Sequence, residues 1–212
     1  MSTWKLRNDL VVAARELPAR GLTAGTSGNV SVRDGAGMWI TPSGVAYGAM
    51  TASDIVHVDG SGRVVEGHLT PSSEWRLHLG VYAARAEVGA IVHAHPRHAT
   101  ALACTERPIP AFHYMVAIAG GDSIRCAPYA PFGTEELAQV AALALADRRA
   151  CLLANHGAVA VGKALPAALD LMTELEELAA QYVSALAIGN VAILSREDMA
   201  EALERFRDYG QR

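Results

Sequence analysis

The 212-residue chain carries 18 Lys and Arg against 22 Asp and Glu, a formal net charge of −4, with 51% hydrophobic and 19% charged residues. That balance excludes a disordered chain and gives no basic footprint for nucleic acid. No apolar run reaches the eighteen or more residues a membrane span needs, and no composition break divides the chain, so one domain over residues 1–212 is expected.

The N-terminus has no basic region followed by an apolar stretch, and the three cysteines, Cys104, Cys126 and Cys151, never fall in CxxC spacing. Both features fit reduced, buried thiols in a cytoplasmic protein. Residues 3–19 place Leu6, Leu10, Val11, Ala14 and Leu17 on one helical stripe. Gly25-Thr26-Ser27-Gly28-Asn29 follows, a small polar loop that reads as an ordinary turn or as an anion cradle, and then a strand at Val30–Arg33. Asp34-Gly35 starts a hairpin into Met38–Ile40, which ends in a second small loop, Thr41-Pro42-Ser43-Gly44. Residues 55–58 and 63–66 read as another hairpin, with His57 and His68 exposed and uninvolved.

Thr70-Pro71-Ser72-Ser73-Glu74 reads as a helix start, with Thr70 as cap, Pro71 at the first helical position, and Trp75, Leu79 and Tyr82 on the core face. Ser72 and Ser73 then sit where free N–H groups favour a phosphate, so the three hydroxyl- and amide-rich loops can converge on one anion. Next comes Ile91-Val92-His93-Ala94-His95-Pro96. Side chains alternate along a strand, so His93 and His95 share a face and Pro96 ends it. A short helix carrying an exposed His98 follows, then Ile109–Met115 and the turn Gly120-Gly121-Asp122. A strand at Ser123–Ala127 precedes a helix capped by Thr134, and a buried strand, Ala150–Ala154, delivers His156. The chain closes with a strand at Ala158–Val161, a long helix from about Pro166 to Ile188 with Glu174, Glu176 and Glu177 solvated, and a last helix capped by Ser195 and Asp198. Helices interleave with hairpins, which predicts an α/β fold with a mixed, largely antiparallel sheet and helices on both faces.

Two same-face histidines alone also suit a polar surface stripe, and Glu74 alone suits a carboxylate complementing a helix dipole. Together, His93, His95 and His156 with Glu74 make the donor set of a catalytic metal site, since structural zinc is normally closed by cysteines.

Four motifs carry a resemblance that runs essentially end to end. Gly25–Arg33, Ile40–Gly44, Pro71–Arg76 and Val92–His95, followed by His113-Tyr114-Met115, Cys126–Ala130, Phe132-Gly133-Thr134, Asn155-His156-Gly157 and Phe206–Tyr209, resemble the class II aldolase/adducin family. The resemblance implies a three-layer α/β/α fold and a C4-symmetric homotetramer with active sites at subunit interfaces. It implies one Zn2+ per subunit on His93, His95 and His156, with Glu74 as ligand at rest and acid/base during turnover. Phosphate of a small phosphorylated sugar is implied at Gly28, Asn29, Ser43, Gly44, Ser72 and Ser73, and the aldehyde end at Tyr114 and a neighbouring subunit's Tyr209.

The implied reaction is reversible cleavage of a ketose 1-phosphate of the L-fuculose 1-phosphate type to dihydroxyacetone phosphate and an aldehyde such as L-lactaldehyde. Lys5 and Lys163 are the only lysines and lie outside these motifs, which disfavours a Schiff-base aldolase. A 5-deoxyribulose-1-phosphate aldolase, an L-ribulose-5-phosphate 4-epimerase, a dehydratase, a zinc hydrolase and a non-catalytic adducin-like scaffold stand as alternatives. Two departures are Asn155, where the family's aldolase has histidine, and Thr70, an extra residue before Pro71.

Overall fold

In the computed structural model, which describes residues 2–208, eight strands form one sheet. They are β1 (Asn29–Asp34), β2 (Gly37–Ile40), β3 (Val56–Val58), β4 (Val64–Glu66), β5 (Ala90–Ala94), β6 (Arg125–Ala127), β7 (Ala150–Leu153) and β8 (Gly157–Gly162). The spatial order is β4-β3-β2-β1-β5-β8-β7-β6, so β5 is central. Every pairing is antiparallel except β6 with β7. The expected mixed, largely antiparallel sheet is therefore present, with helices on both faces.

Strand alternation divides the core in two. Val30, Val92, Ala94, Leu152, Ala158 and Ala160 face α1 (Thr3–Ala19) and a long helix, Leu165–Ile188. Ile91, Cys151, Leu153, Val159 and Val161 face α2 (Trp75–Ala84) and the helix Glu135–Ala144. These last two helices are α4 (Glu135–Ala144) and α5 (Leu165–Ile188); α3 is Arg97–Ala103 and α6 is Arg196–Asp208. Local caps set the ends as expected. The Thr134 hydroxyl accepts from Leu137 N–H, and Ser195 and Asp198 form a reciprocal box.

Several expectations are corrected. Thr70 caps no helix, because α2 begins at Trp75. Ser72 N–H donates to Thr41 O, and Pro71 makes an antiparallel bridge with Pro42, so this stretch is held to the neighbouring loop and cannot wind. The buried face of α2 is accordingly Leu77, His78, Val81 and Tyr82, with Trp75 and Leu79 only partly covered. His57 is not free on the surface: its ring stacks on Trp39 at 4.6 Å. His98 and Glu176 are joined, since the Glu176 carboxylate accepts from His98 N–H, Ala99 N–H and the His98 ring, and so caps α3. Of the three free cysteines only Cys151 is buried; Cys104 is exposed.

Candidate metal centre and active site

The end of β5 gathers the ligating groups. Register pairs His93 with Asn29 of β1 on one side and Val159 of β8 on the other, which buries the His93 ring completely. His95 lies just past the strand, on the same face, where Pro96 ends the pairing. His156 arrives on the β7–β8 turn, closed by His156 N–H donating to Leu153 O. The turn needs a left-handed residue before the histidine, and Asn155 supplies it at φ 54°. Asparagine tolerates that conformation better than most side chains, which is a local reason for the departure at this position. Gly157 follows because a Cβ there would stand 2.5 Å from the His95 ring and 2.6 Å from Ala94 O.

The three imidazoles form a tripod. Ring centroids are 4.9, 4.9 and 5.0 Å apart with interplanar angles of 62–74°, and the ligating nitrogens lie within 4.8 Å of one another. His93 Nε2 and His95 Nε2 are separated by 3.1 Å, close to the roughly 3.3 Å that tetrahedral zinc–nitrogen bonds of about 2.0–2.1 Å require. His93 Nδ1 is 2.9 Å from Ala158 O, so Nδ1 carries the donating proton and the Nε2 lone pair points into the centre.

Glu74 closes the group from the turn before α2. Its Oε2 lies 2.9 Å from His93 Nε2 and 3.1 Å from Asn29 Nδ2. Its buried Oε1 has no hydrogen-bond partner and stands 3.4 Å from His156 Nε2. An orphaned carboxylate oxygen facing imidazole lone pairs is the arrangement a divalent cation resolves.

With no cation present, the electrostatics favour placing the compensating positive charge on His93. Burial pushes the Glu74 carboxyl up, but the charges of His93 and His156 and the Asn29 hydrogen bond overcome it and hold the group well below the usual carboxylate range. Burial pushes His93 down, yet Glu74 keeps it above its ordinary value. Burial, then the neighbouring His93 charge, lowers both His95 and His156 to about 4, which leaves them neutral as metal ligands must be.

The tripod opens on a cleft of about 350 Å³ lined by Ser27, Ser73, Glu74, His95, Tyr129, Ala130, Phe132, Asn155 and His156. A larger cleft of about 770 Å³ lies at the other end of β5 and β8, between α1 and α5. It is lined mainly by aliphatic side chains with Lys5 already paired to Asp9, and no ligating groups converge there.

The three small loops do adjoin. Val30 N–H donates to the Thr41 hydroxyl, Ser72 N–H to Thr41 O, and Ser43 N–H to Thr70 O. Of the six residues expected at phosphate, only Ser73 lines the histidine cleft. Gly28 N–H donates to the Tyr47 hydroxyl, and the Asn29 side chain turns inward to Glu74. Tyr114 is 54% exposed in a different cleft, stacked near Phe206, and does not reach the tripod of its own chain. Tyr209 lies outside the described residues.

Sequence reasoning missed a buried polar chain behind Glu74: His78 and Tyr82 on α2, and Ser31 with Asn29 on β1. The signal was present. Glu74, His78 and Tyr82 repeat at i, i+4, i+8, and Asn29 and Ser31 alternate on the strand face that carries His93.

A family model for the class II aldolase and adducin N-terminal domain matches residues 8–183. A 5-methylthioribulose-1-phosphate/5-deoxyribulose-1-phosphate aldolase of Rhodospirillum rubrum is 50% identical, covering 97% of this chain and 92% of that protein. An L-fuculose phosphate aldolase of Escherichia coli is 49% identical, covering 98% and 97%. A solved L-fuculose 1-phosphate aldolase has a TM-score of 0.93 at 44% identity, covering 96% of each chain. The corresponding Thermus thermophilus structure has a TM-score of 0.76 at 34% identity, covering 89% of this chain and 99% of that one. With the sheet, the histidine tripod and these likenesses in agreement, the chain belongs to the class II aldolase and adducin family.

Proposed function

We propose that this protein is a zinc-dependent aldolase. It reversibly cleaves a ketose 1-phosphate of the L-fuculose 1-phosphate type to dihydroxyacetone phosphate and an aldehyde such as L-lactaldehyde. The observation that carries the reading is the buried Glu74 carboxylate, with one oxygen unpartnered, pressed against three converging imidazoles. His93, His95 and His156 would hold the cation, and Glu74 would join them at rest. A divalent cation there supplies Lewis-acid stabilisation of the enediolate charge that cleavage leaves on the ketose fragment.

The remaining work falls to side chains. Breaking the C3–C4 bond requires removal of the C4 hydroxyl proton and delivery of a proton to C3. Glu74 suits the second task. Burial is the largest influence on its carboxyl and raises its proton affinity; only the imidazole charges and Asn29 offset it. Freed of those imidazoles, the carboxyl would be left with the effect of burial, which favours the protonated form that can hand a proton to C3.

Ser73 in the cleft, with the Ser72 and Ser43 hydroxyls, Gly44 and the neighbouring Gly28–Asn29 backbone, forms the phosphate end. Tyr114 stands in another cleft, which supports a site shared between copies; in the proposed homotetramer Tyr114 and Tyr209 serve a neighbouring copy's site as acid/base for the C4 oxygen. No helix among the described residues is long and apolar enough to cross a membrane, in keeping with a cytoplasmic enzyme.

A second reading, cleavage of 5-deoxyribulose 1-phosphate, is favoured by the 50% identity to the Rhodospirillum rubrum aldolase. The test is an aldol-cleavage assay with L-fuculose 1-phosphate, 5-deoxyribulose 1-phosphate and L-ribulose 5-phosphate, each compared with its unphosphorylated ketose. Release of dihydroxyacetone phosphate from the first is the expected result. Equal turnover of the unphosphorylated sugar, or epimerisation without cleavage, would overturn it.

A further inference from the structure

Behind Glu74 runs a buried chain of hydrogen bonds whose members line none of the clefts described above. Tyr82 OH is 2.8 Å from Ser31 Oγ, and Ser31 Oγ is 2.6 Å from His78 Nδ1. His78 Nε2 is 2.6 Å from Asn29 Oδ1, and Asn29 Nδ2 is 3.1 Å from Glu74 Oε2. His78 and Ser31 are wholly buried, and Tyr82 and Asn29 nearly so.

Each link determines the next. An ionised carboxylate only accepts, so Asn29 must present its amide N–H to Glu74. Its Oδ1 then faces His78, which must donate from Nε2. Nδ1 is left bare, so Ser31 must donate to it, and the Ser31 oxygen is free to accept from Tyr82. The His78 ring remains neutral, because burial, and then the His93 charge, lower its pKa to about 3. With its Oδ1 held by the His78 Nε2–H, the Asn29 amide cannot turn round without setting its NH2 against that donor and its oxygen against Glu74, so His78 locks the orientation that the carboxylate selects.

We propose that His78 is a positioning residue for Glu74: through its Nε2–H bond to Asn29 it fixes the amide that holds the carboxylate in its resting place. The proposal rests on the reading of Glu74 as ligand and acid/base. His78 touches neither substrate nor metal, so its removal acts on kcat and leaves the phosphate grip alone.

The experiment compares His78→Leu, His78→Gln and Ser31→Ala with the wild type, all normalised to zinc-loaded subunits. The readouts are kcat, KM and exchange of the C3 proton of dihydroxyacetone phosphate with solvent deuterium. His78→Leu is expected to lose about tenfold in kcat and exchange, within the 10–100-fold range for groups behind a metal centre, with KM unchanged. His78→Gln, which keeps a donor, should recover much of the loss, and Ser31→Ala should show a smaller loss in the same sense. Should His78→Leu fail to fold, Ser31→Ala and His78→Gln decide.

A second readout uses the metal-free protein. The 15N shifts of the histidine rings should show His78 as a single Nε2–H tautomer with a slowly exchanging proton, and Ser31→Ala should disturb that signal. An Nδ1–H tautomer overturns the proposal. So do wild-type kcat and exchange per zinc-loaded subunit in every variant, whatever their thermal stability. Absence of exchange in the wild type would instead overturn the aldolase reading itself.

Discussion

His93 Nε2 lies 2.9 Å from Glu74 Oε2, with the two side chains 0% and 7% exposed. Because His93 Nδ1 donates to Ala158 O, the neutral ring would present a lone pair to the carboxylate. The contact is favourable only with positive charge between or upon the two groups, as imidazolium or as a bound cation. One residue pair thus marks the candidate cation position and sets a carboxylate beside it.

Changing Glu74→Gln keeps the size and an oxygen donor but removes the titrating group. Zinc should remain on the three imidazoles, while proton transfer at C3 falls by about 10²–10⁴-fold. Deuterium exchange into dihydroxyacetone phosphate without added aldehyde reads that step directly. Exchange at the wild-type rate would mean that another residue carries the proton.

The Gly157→Ala variant tests how the tripod is held. The new methyl group would meet the His95 ring at 2.5 Å and the Ala94 carbonyl at 2.6 Å, so one of them must shift, at a cost of about 1–3 kcal/mol. Weaker zinc retention during dialysis against a chelator is expected, together with a lower Tm. Unchanged zinc affinity would show that His95 tolerates displacement.

Tyr114→Phe separates the two ends of the reaction. Its hydroxyl belongs to a cleft apart from its own chain's histidines, so the exchange of dihydroxyacetone phosphate should survive while aldol cleavage drops. Mixing Tyr114→Phe with Glu74→Gln chains should raise aldol cleavage above that of either variant alone, at the hybrid sites formed between neighbours. A mixture no more active than its components after subunit exchange argues for a site built within one chain.

The metal-free protein should lose stability on acidification from about pH 6.5 to pH 4. Burial lowers His95 and His156 to about 4 and His78 to about 3, below the ordinary histidine value of 6.5. Across that window the unfolded chain binds more protons, so stability rises with pH. Glu74 works in the same direction from 4.5 downward, since its depressed pKa stabilises the fold above that value and the benefit is lost as pH falls. His93, raised above 6.5, acts oppositely: its contribution is complete below 6.5 and is lost as pH rises through its folded pKa. Thermal melts of chelator-treated protein between pH 4 and 8 should give a maximum near neutrality. A flat acid limb would mean the histidines titrate as they do in the unfolded chain.

The chain by itself determined whatever depends on near neighbours. The alternation Ile91-Val92-His93-Ala94 set which residues share a face, Pro96 ended the strand, and the stripe through Leu10, Val11, Ala14 and Leu17 predicted the buried side of α1. The candidate metal site was legible because histidines recurred at two strand ends, His93 and His95 closing β5 and His156 following β7. Tertiary structure decided what depends on partners far along the chain. Residues 70–72 look like a helix start until Thr41 and Pro42 take their backbone groups. Glu176 looks solvated until the first amides of α3 meet it, 77 and 78 residues away in sequence. Asn29, read as a phosphate donor, turns to Glu74 because a buried carboxylate 45 residues on needs a donor, and His78 then completes the Asn29 amide. A buried polar group must find a partner, but its sequence does not say which; only the packing of β1 against α2 makes that choice.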